Sequence, residues 1–475
     1  MTLEALLVVL YLLGCIAIGL WAARRSLSSA DDLWVAGRKI GVWANALAIM
    51  AALASGGSII GVMGLAYKGG IPYALSLFAG AVLGFPLAAI LVAAPLRRLG
   101  KFTLSDFFVF RYPHPAVRTF VPLLILLSFS VYIVAQMKAA GITAEVLLGL
   151  EYKTAVTIAT VVFVAYVSVG GMLAVTWTDI VQGVLMLGVI LITAGALLVS
   201  RGSPLTLLTE ATTAAPALGT MLDKPLASLV GIFVLWAAAI PVTPHIVMRV
   251  LSAKDAAGAR LSLNLAMIFY SVMILAAVLV IVPVGKSLFP ELADADRVFL
   301  SVMEGHFPAL LRGLAVAAVL AAVMSTTDAL LLACSAAVTH DLLGERLARA
   351  SEGTRKAVTL AVPWIIGLVA MFLAYSPPKL ITIFYSLAIG LLAAGLFVPL
   401  VAGLWWRRAT TLGGLLSMIS GAGVYAGVEL SKALPTFSGA LLGLGASALV
   451  MVVASLLTPP PDEALVERLT ELHQP

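Results

Sequence analysis

Charge is scarce in this chain. Only 11% of its 475 residues are Asp, Glu, Lys or Arg, against 62% hydrophobic, and the mean hydropathy is +1.10. That shortage excludes a water-soluble globule, whose outer shell needs polar and charged side chains. Cysteine is scarcer still: Cys15 and Cys334 each lie inside an apolar run, which excludes a disulfide framework and leaves little for redox or metal chemistry. Enzyme signatures are missing as well. There is no HExxH, no CxxC and no phosphate-binding glycine loop with its lysine and hydroxyl, so no enzyme is expected. Of the five histidines, His114, His306, His340 and His473 fall at or beyond the ends of apolar runs, His245 follows a proline break, and no pair has metal-ligand spacing. The formal charge of +6 comes with no nucleic-acid-binding module, so nucleic acid is not an expected partner.

What is present is a series of apolar runs long enough to cross a hydrocarbon core of roughly 30 Å. They fall near 3–23, 42–66, 72–94, 120–142, 154–172, 174–199, 228–248, 262–285, 309–338, 358–375, 380–405, 411–430 and 437–458, which predicts an all-α membrane protein of about 13 transmembrane helices. The boundary between the fifth and sixth rests on Gly170-Gly171 and the polar stretch from Thr176 to Asp179. The first run begins at Leu3 without a basic segment before it or a small-residue cleavage site before Arg24, and reads as a retained helix rather than a signal peptide. Alternate loops collect the basic residues: Arg24, Arg25, Arg38 and Lys39; Arg97, Arg98, Lys101, Arg111 and Arg118; Arg249, Lys254 and Arg260; Arg346, Arg349, Arg355 and Lys356; Arg407 and Arg408; Arg468. The other side holds scattered ones, Lys68, Lys153, Lys224, Lys379 and Lys432. By the positive-inside rule this places the chain in the inner (plasma) membrane with the N-terminus outside and the C-terminus cytoplasmic, its basic loops against anionic lipid headgroups.

Several spans are interrupted at membrane depth. Ala54-Ser55-Gly56-Gly57-Ser58 puts glycines and hydroxyls inside the second run, where unwound carbonyls can coordinate a cation or small residues can serve close helix contact. Pro241 and Pro244 break the seventh, five spans later, as two inverted five-helix repeats require. Ser325, Thr326, Thr327 and Asp328 interrupt the ninth, and a carboxylate in lipid is costly unless paired or hydrated. Asp179 opens the sixth as either a helix-entry carboxylate or part of a cation route. Lys138 either snorkels toward the outer surface or pairs with Asp328 or a substrate carboxylate. Ser55, Ser58, Tyr132, Trp236 and Asp328 are candidate substrate contacts with it; Tyr73 and Tyr385 are further aromatics that could line a cavity.

The run from Ser168 to Gln182, with Gly170-Gly171, Ala174-Val175, Trp177-Thr178-Asp179 and Gln182, resembles a signature of the sodium/solute symporter family, and Ala321-Ala322-Val323-Met324-Ser325-Thr326 is similar to a second. Val35-Ala36-Gly37-Arg38, Arg98-Leu99-Gly100-Lys101-Phe102-Thr103 and Pro244-His245-Ile246-Val247-Met248-Arg249 agree too, so the resemblance runs from about residue 3 to 405. It implies a ten-helix core of two inverted repeats (5+5), about 42–199 and 228–405 within 42–405, flanked by a peripheral first helix and loop, 1–41, and by two peripheral helices and a tail, 406–475. It also implies alternating access, a co-transported sodium ion and a monomer sufficient for transport. The sodium site it implies is formed by the carbonyls of Ala54, Gly57 and Ala322 and the hydroxyls of Ser325 and Thr326, with Asp179 on the sodium route.

For the solute, the motifs at 98–103, 135–137, 170–174, 244–249 and 340–342 look like the branch carrying acetate and other monocarboxylates. Asp179 and the Ser325-Thr326 pair are closer to the proline and pantothenate branches. The proline branch has an aspartate where this chain has Gly56. The expectation is sodium-driven import of a small monocarboxylate such as acetate or pyruvate, with pantothenate, proline or another amino acid as alternatives. A membrane sensor or structural protein built on the same bundle would need no sodium site, and the short tail argues against the sensor.

Overall fold

The computed structural model describes residues 2–26, 30–220, 224–376 and 380–474. Lys379 and the side chains of Arg24 and Arg25 lie outside that description. Helices dominate: α1 (Leu3–Ser26), α2 (Val42–Leu53), α3 (Gly57–Gly69), α4 (Ile71–Leu99), α5 (Leu104–Arg111), α6 (Pro115–Leu148), α7 (Tyr152–Arg201), α8 (Leu226–Ser252), α9 (Ala256–Leu288), α10 (Ala309–Leu342), α11 (Glu352–Ala374), α12 (Ile381–Trp405), α13 (Thr411–Ser431), α14 (Ser438–Leu457) and α15 (Glu463–Glu471). No strand occurs among the described residues, only an isolated bridge between Ile40 and Ala253.

Among the described residues, eleven helices have the length and apolarity that crossing requires, twelve when the bent pair α2 and α3 counts as one span, against the thirteen expected. The fifth expected run falls in the first arm of α7, whose described part Tyr152–Ala165 is apolar and which leads on to a kink at Gly171. Gly171 sits at φ 60°, ψ −173°, a conformation that a side chain opposes. Thr176 and Asp179, beyond it, meet Arg249 of α8, whereas Tyr152 donates to the Ala374 carbonyl and Arg201 lines a cavity with His306. The chain therefore turns back at Gly171.

Helix α10 is the axis of the bundle: 94% of its most apolar window is buried, against 22% for α1 and 28% for α14. A helix so enclosed is packed by protein on every side, and its alanines let neighbours approach closely. The outer helices face lipid with Leu, Ile and Val instead. Five spans apart, the α2–α3 break and a break within α8 repeat the same device. The first pair is bent by 62°, with Ala54 at φ −72°, ψ 70°. In α8 Thr243 is extended, φ −74°, ψ 113°, because the Pro244 ring disfavours helical geometry in the residue before it.

The basic loops gather on one face. Arg38 donates to the carbonyls of Gly100, Lys101 and Leu251; Arg97 donates to Ala253 and Lys254; Arg98 donates to Leu472; Arg118 pairs with Glu345. On the opposite face Arg297 pairs with Glu145 and Arg312 with Glu4. The amphipathic α15 lies beneath the first face, where His473 Nε2 meets the Leu404 carbonyl at 2.9 Å and its ring packs on Trp405.

Candidate functional site

The interrupted segments meet at the α2–α3 break. Ser325 Oγ of α10 donates to the Ala51 carbonyl at 2.9 Å and lies 3.2 Å from the Ala322 carbonyl, and Thr326 Oγ1 donates to the Ala52 carbonyl at 3.0 Å. The two hydroxyls thus face the last turn of α2, where carbonyls lack helical partners. Ala54 ends that turn, and its neighbours down to Ser58 are all buried. The Gly57 carbonyl is 3.4 Å from Thr382 Oγ1 of α12. Ala322, Ser325, Thr326 and the end of α2 are therefore together, while Gly57 looks toward α12. Carbonyl and hydroxyl oxygens are the donors that hard cations take, so this cluster suits sodium.

Asp179 is wholly buried, and Arg249 donates to its Oδ2 and to Thr176 Oγ1. A lone carboxylate at this depth would be costly, and the guanidinium supplies its counter-charge. Arg249 also anchors the broken second span, since its carbonyl accepts from Asn45 Nδ2 at 3.1 Å. The sequence placed Arg249 within a motif and among the basic residues of a loop; it is instead buried, and its pairing is decided by tertiary contact between α7 and α8.

Beside the break lies an aromatic cluster. Tyr132 and Tyr385 stack at 4.7 Å, Trp236 meets Tyr385 edge-on at 5.7 Å, and Trp236 Nε1 donates to Ser386 Oγ at 3.1 Å. Ser55 Oγ accepts from the Ser58 amide at 3.1 Å, and Ser58 Oγ donates to the Leu53 carbonyl at 3.1 Å and lies 3.5 Å from Tyr270 Oη. These bonds stitch the unwound backbone. A Cβ at Gly57 would stand 2.2 Å from the Tyr385 ring, and one at Gly56 would stand 2.6 Å from Ala139 Cβ and 2.8 Å from Val323, so an aromatic ring presses on Gly57 and aliphatic side chains on Gly56. An aspartate at position 56 has no room here.

Gln136 is the residue that the sequence did not single out. Its Oε1 accepts from the Gly56 amide at 3.0 Å, and its fully enclosed Nε2 has no hydrogen-bond partner among the described residues. An amide in a span beside a glycine-rich break is the signal that could have marked it.

Two of the expected substrate contacts, Lys138 and Asp328, and the cavity candidate Tyr73 have other neighbours. Lys138 neither snorkels nor meets Asp328: it is buried, 2.8 Å from Asp296 Oδ2 and 3.7 Å from Asp294 Oδ2. The connection after α9 folds down onto α6 and brings these carboxylates with it. Asp328 is buried within electrostatic reach of Tyr11 and Cys15 of α1, helix neighbours that also touch Met324 and Gln182. Tyr73 lies at the start of α4 with Lys224 5.8 Å over its ring, apart from the aromatic cluster.

The sodium:solute symporter family is matched over residues 33–421. A sodium/proline symporter of Salmonella typhimurium is 29% identical over 97% of this chain and 94% of its own. Among solved structures, a Na+-coupled sialic acid symporter in a substrate-bound outward-open state shares the fold with a TM-score of 0.79 at 17% identity, covering 97% of this chain and 98% of that one. A nucleobase-cation-symport-1 family transporter with a bound hydantoin follows at 0.60 and 15%, over 92% and 98%. The chain belongs to the sodium:solute symporter family: it is a multi-pass membrane transporter that couples sodium to movement of a small solute, and not an enzyme.

Proposed function

We propose that this sodium:solute symporter imports a small carboxylate-bearing solute, and that the solute is an amino acid of proline's size in preference to the simple monocarboxylate that the motifs favour. The observation that carries this is the chemistry beside the break: three aromatic side chains, the enclosed Gln136 amide, and Lys138 engaged by Asp296 on the far side. A carboxylate there draws on the positive end of α3, on Gln136 Nε2 and on the neighbouring sodium. An ammonium group finds unwound carbonyls and aromatic faces, which attract cations by about 0.5–2 kcal/mol. The proline-transporting relative supports the same reading. Gly56 in place of an aspartate leaves the amine without a carboxylate at the break, and with the motifs at 98–103 and 244–249 this favours a monocarboxylate as the second reading.

In this proposal Ala54, Gly57, Ala322, Ser325 and Thr326 hold sodium, and Asp179 tunes its release through Arg249. The basic face is cytoplasmic, and the units 42–199 and 228–405 rock about the site within a single chain. Each sodium charge entering with a zwitterion gains about 2.3 kcal/mol per 100 mV of membrane potential. The test is uptake into liposomes of labelled proline, alanine, acetate, pyruvate and pantothenate, under a sodium gradient and under a proton gradient alone. Sodium-dependent accumulation of proline is expected. Accumulation of acetate or pyruvate with no amino acid transported selects the second reading, and accumulation on a proton gradient without sodium contradicts the site.

A further inference from the structure

We propose that the basic face carries a binding site for a first-row divalent cation of the zinc type, formed by Asp106, His340 and Asp341, separate from the sodium site. Asp106 lies on α5, the short helix between α4 and α6; His340 and Asp341 end α10, the helix that bears Ser325 and Thr326. The last turn of α10 is widened from Ala337 to Leu342, which lets two consecutive side chains address one point.

The three groups offer one ligand atom each, all within 4.8 Å of one another. His340 Nε2 is 3.1 Å from Asp106 Oδ1 and 4.0 Å from Asp341 Oδ1. Ligands about 2.0–2.2 Å from a tetrahedral zinc ion stand about 3.3–3.5 Å apart, so the separations bracket those of a formed site.

The ligands are held from behind. Asp106 Oδ2 accepts from the amides of Phe102 and Thr103 at 3.0 and 3.1 Å, which fixes the carboxylate so that both of its oxygens stand 3.1–3.2 Å from His340 Nε2. Thr103 Oγ1 donates to Asp341 Oδ1 at 2.9 Å, and the Phe102 ring meets the imidazole edge-on at 5.4 Å. Outer contacts of this kind orient metal ligands. His340 and Asp106 keep side-chain exposures of 30% and 22%, which gives an ion an entry and room for a water as fourth ligand. An imidazole with two carboxylates selects zinc, cobalt or nickel over magnesium and calcium, which prefer oxygen alone. A bound ion would tie α5 to the end of α10.

The probes are Zn2+ by calorimetry and Co2+ by its visible absorption, added without sodium to the tag-free full-length chain in detergent. Neither readout depends on transport, so failure here leaves the solute reading untouched, and the reverse holds. One saturable site is expected, with the intense visible bands of low-coordinate Co2+. Affinity should fall at least tenfold in His340→Gln and in Asp341→Asn and stay unchanged in His306→Gln on the opposite face. His340→Gln retains a hydrogen-bond donor toward Asp106 and a monodisperse elution profile shows that it folds; if it does not, Asp341→Asn decides. Absence of saturable binding below 1 mM, or binding in His340→Gln or Asp341→Asn equal to the native chain, makes the trio a hydrogen-bonded staple and overturns the proposal.

Discussion

Lys138 and Asp296 close the face opposite the basic loops, and removing either charge should loosen that closure. Asp296 Oδ2 receives Lys138 Nζ at 2.8 Å and the Ile381 amide of α12 at 3.1 Å, and its Oδ1 stands 2.5 Å from where a Cβ on Gly64 of α3 would be. One carboxylate thus joins α3, α6, α12 and the segment after α9. At an effective dielectric of ~20, charges 2.8 Å apart attract by about 6 kcal/mol, and desolvation cancels much of this. Removing one partner of a buried pair costs about 3–5 kcal/mol. Asp294, 3.7 Å from Lys138, retains part of the attraction, so Asp296→Asn should fall near the lower end. About 3 kcal/mol shifts a closed-to-open equilibrium roughly a hundredfold. Burial pushes the Asp296 carboxyl up to about 6 even with Lys138 beside it. In Lys138→Met the carboxyl has lost that cation and binds a proton more readily when folded than when unfolded. Stability of that variant should therefore fall as pH rises from 5.5 to 7.5, more steeply than in the native chain. The assay is thermal unfolding together with thiosulfonate labelling of Ala295→Cys, a buried position beside Gly64, against a background in which Cys15 and Cys334 are both buried. The double variant Lys138→Met/Asp296→Asn buries no charge at either position and should be more stable than the sum of the singles by at least about 1.5 kcal/mol. Strictly additive effects, or labelling of Ala295→Cys unchanged in both singles, would refute the reasoning.

The other expectations concern the site itself. Ser325→Ala and Thr326→Ala each remove an oxygen facing the end of α2, and each should raise the sodium concentration for half-maximal uptake about tenfold or more with abundance in the membrane nearly unchanged; equal sodium dependence in both excludes them as ligands. Gly57→Ala drives a methyl into the Tyr385 ring and should cost about 1–3 kcal/mol and abolish uptake, with partial recovery in Gly57→Ala/Tyr385→Leu; full activity of the single variant contradicts the close packing. Asp179→Asn removes the carboxylate charge that the buried Arg249 donates to and should lower thermal stability, by up to about 3–5 kcal/mol, unless Arg249→Met accompanies it, as a double-variant melting series would show.

Hydropathy and loop charge made the helical bundle and its basic face legible, because lipid forces apolar residues into long runs and a charged loop cannot hide. The broken spans were equally visible, since glycine, proline and hydroxyls stand out in such runs. What could not be seen was the partner of each buried charge. Lys138 finds Asp296 158 residues away and Asp179 finds Arg249 70 residues away, and no local pattern encodes those distances. His340 reads in the sequence only as a helix-end histidine without a spaced histidine partner, because its neighbours in space are two aspartates, one of them 234 residues distant.

These long-range pairs follow from the solvent. In water an isolated surface carboxylate is cheap, and its neighbours carry little information about function. In hydrocarbon each charge needs a partner, and a partner supplied by another helix makes the contact between those helices depend on conformation. Asp179 with Arg249 links α7 to α8 below the break, and Lys138 with Asp296 links α6 to the segment before α10 above it. The hydroxyls of Ser325 and Thr326 link α10 to α2 between them. Alternating access requires the contacts above and below the site to open in turn while the central one senses sodium. If that is their role, labelling of Ala295→Cys should rise when Asp296 is neutralised and fall when Ser325 is, because losing sodium's oxygen ligands and losing the upper pair bias the same equilibrium in opposite directions. The same direction of change in both variants would separate the ion pair from the transport cycle.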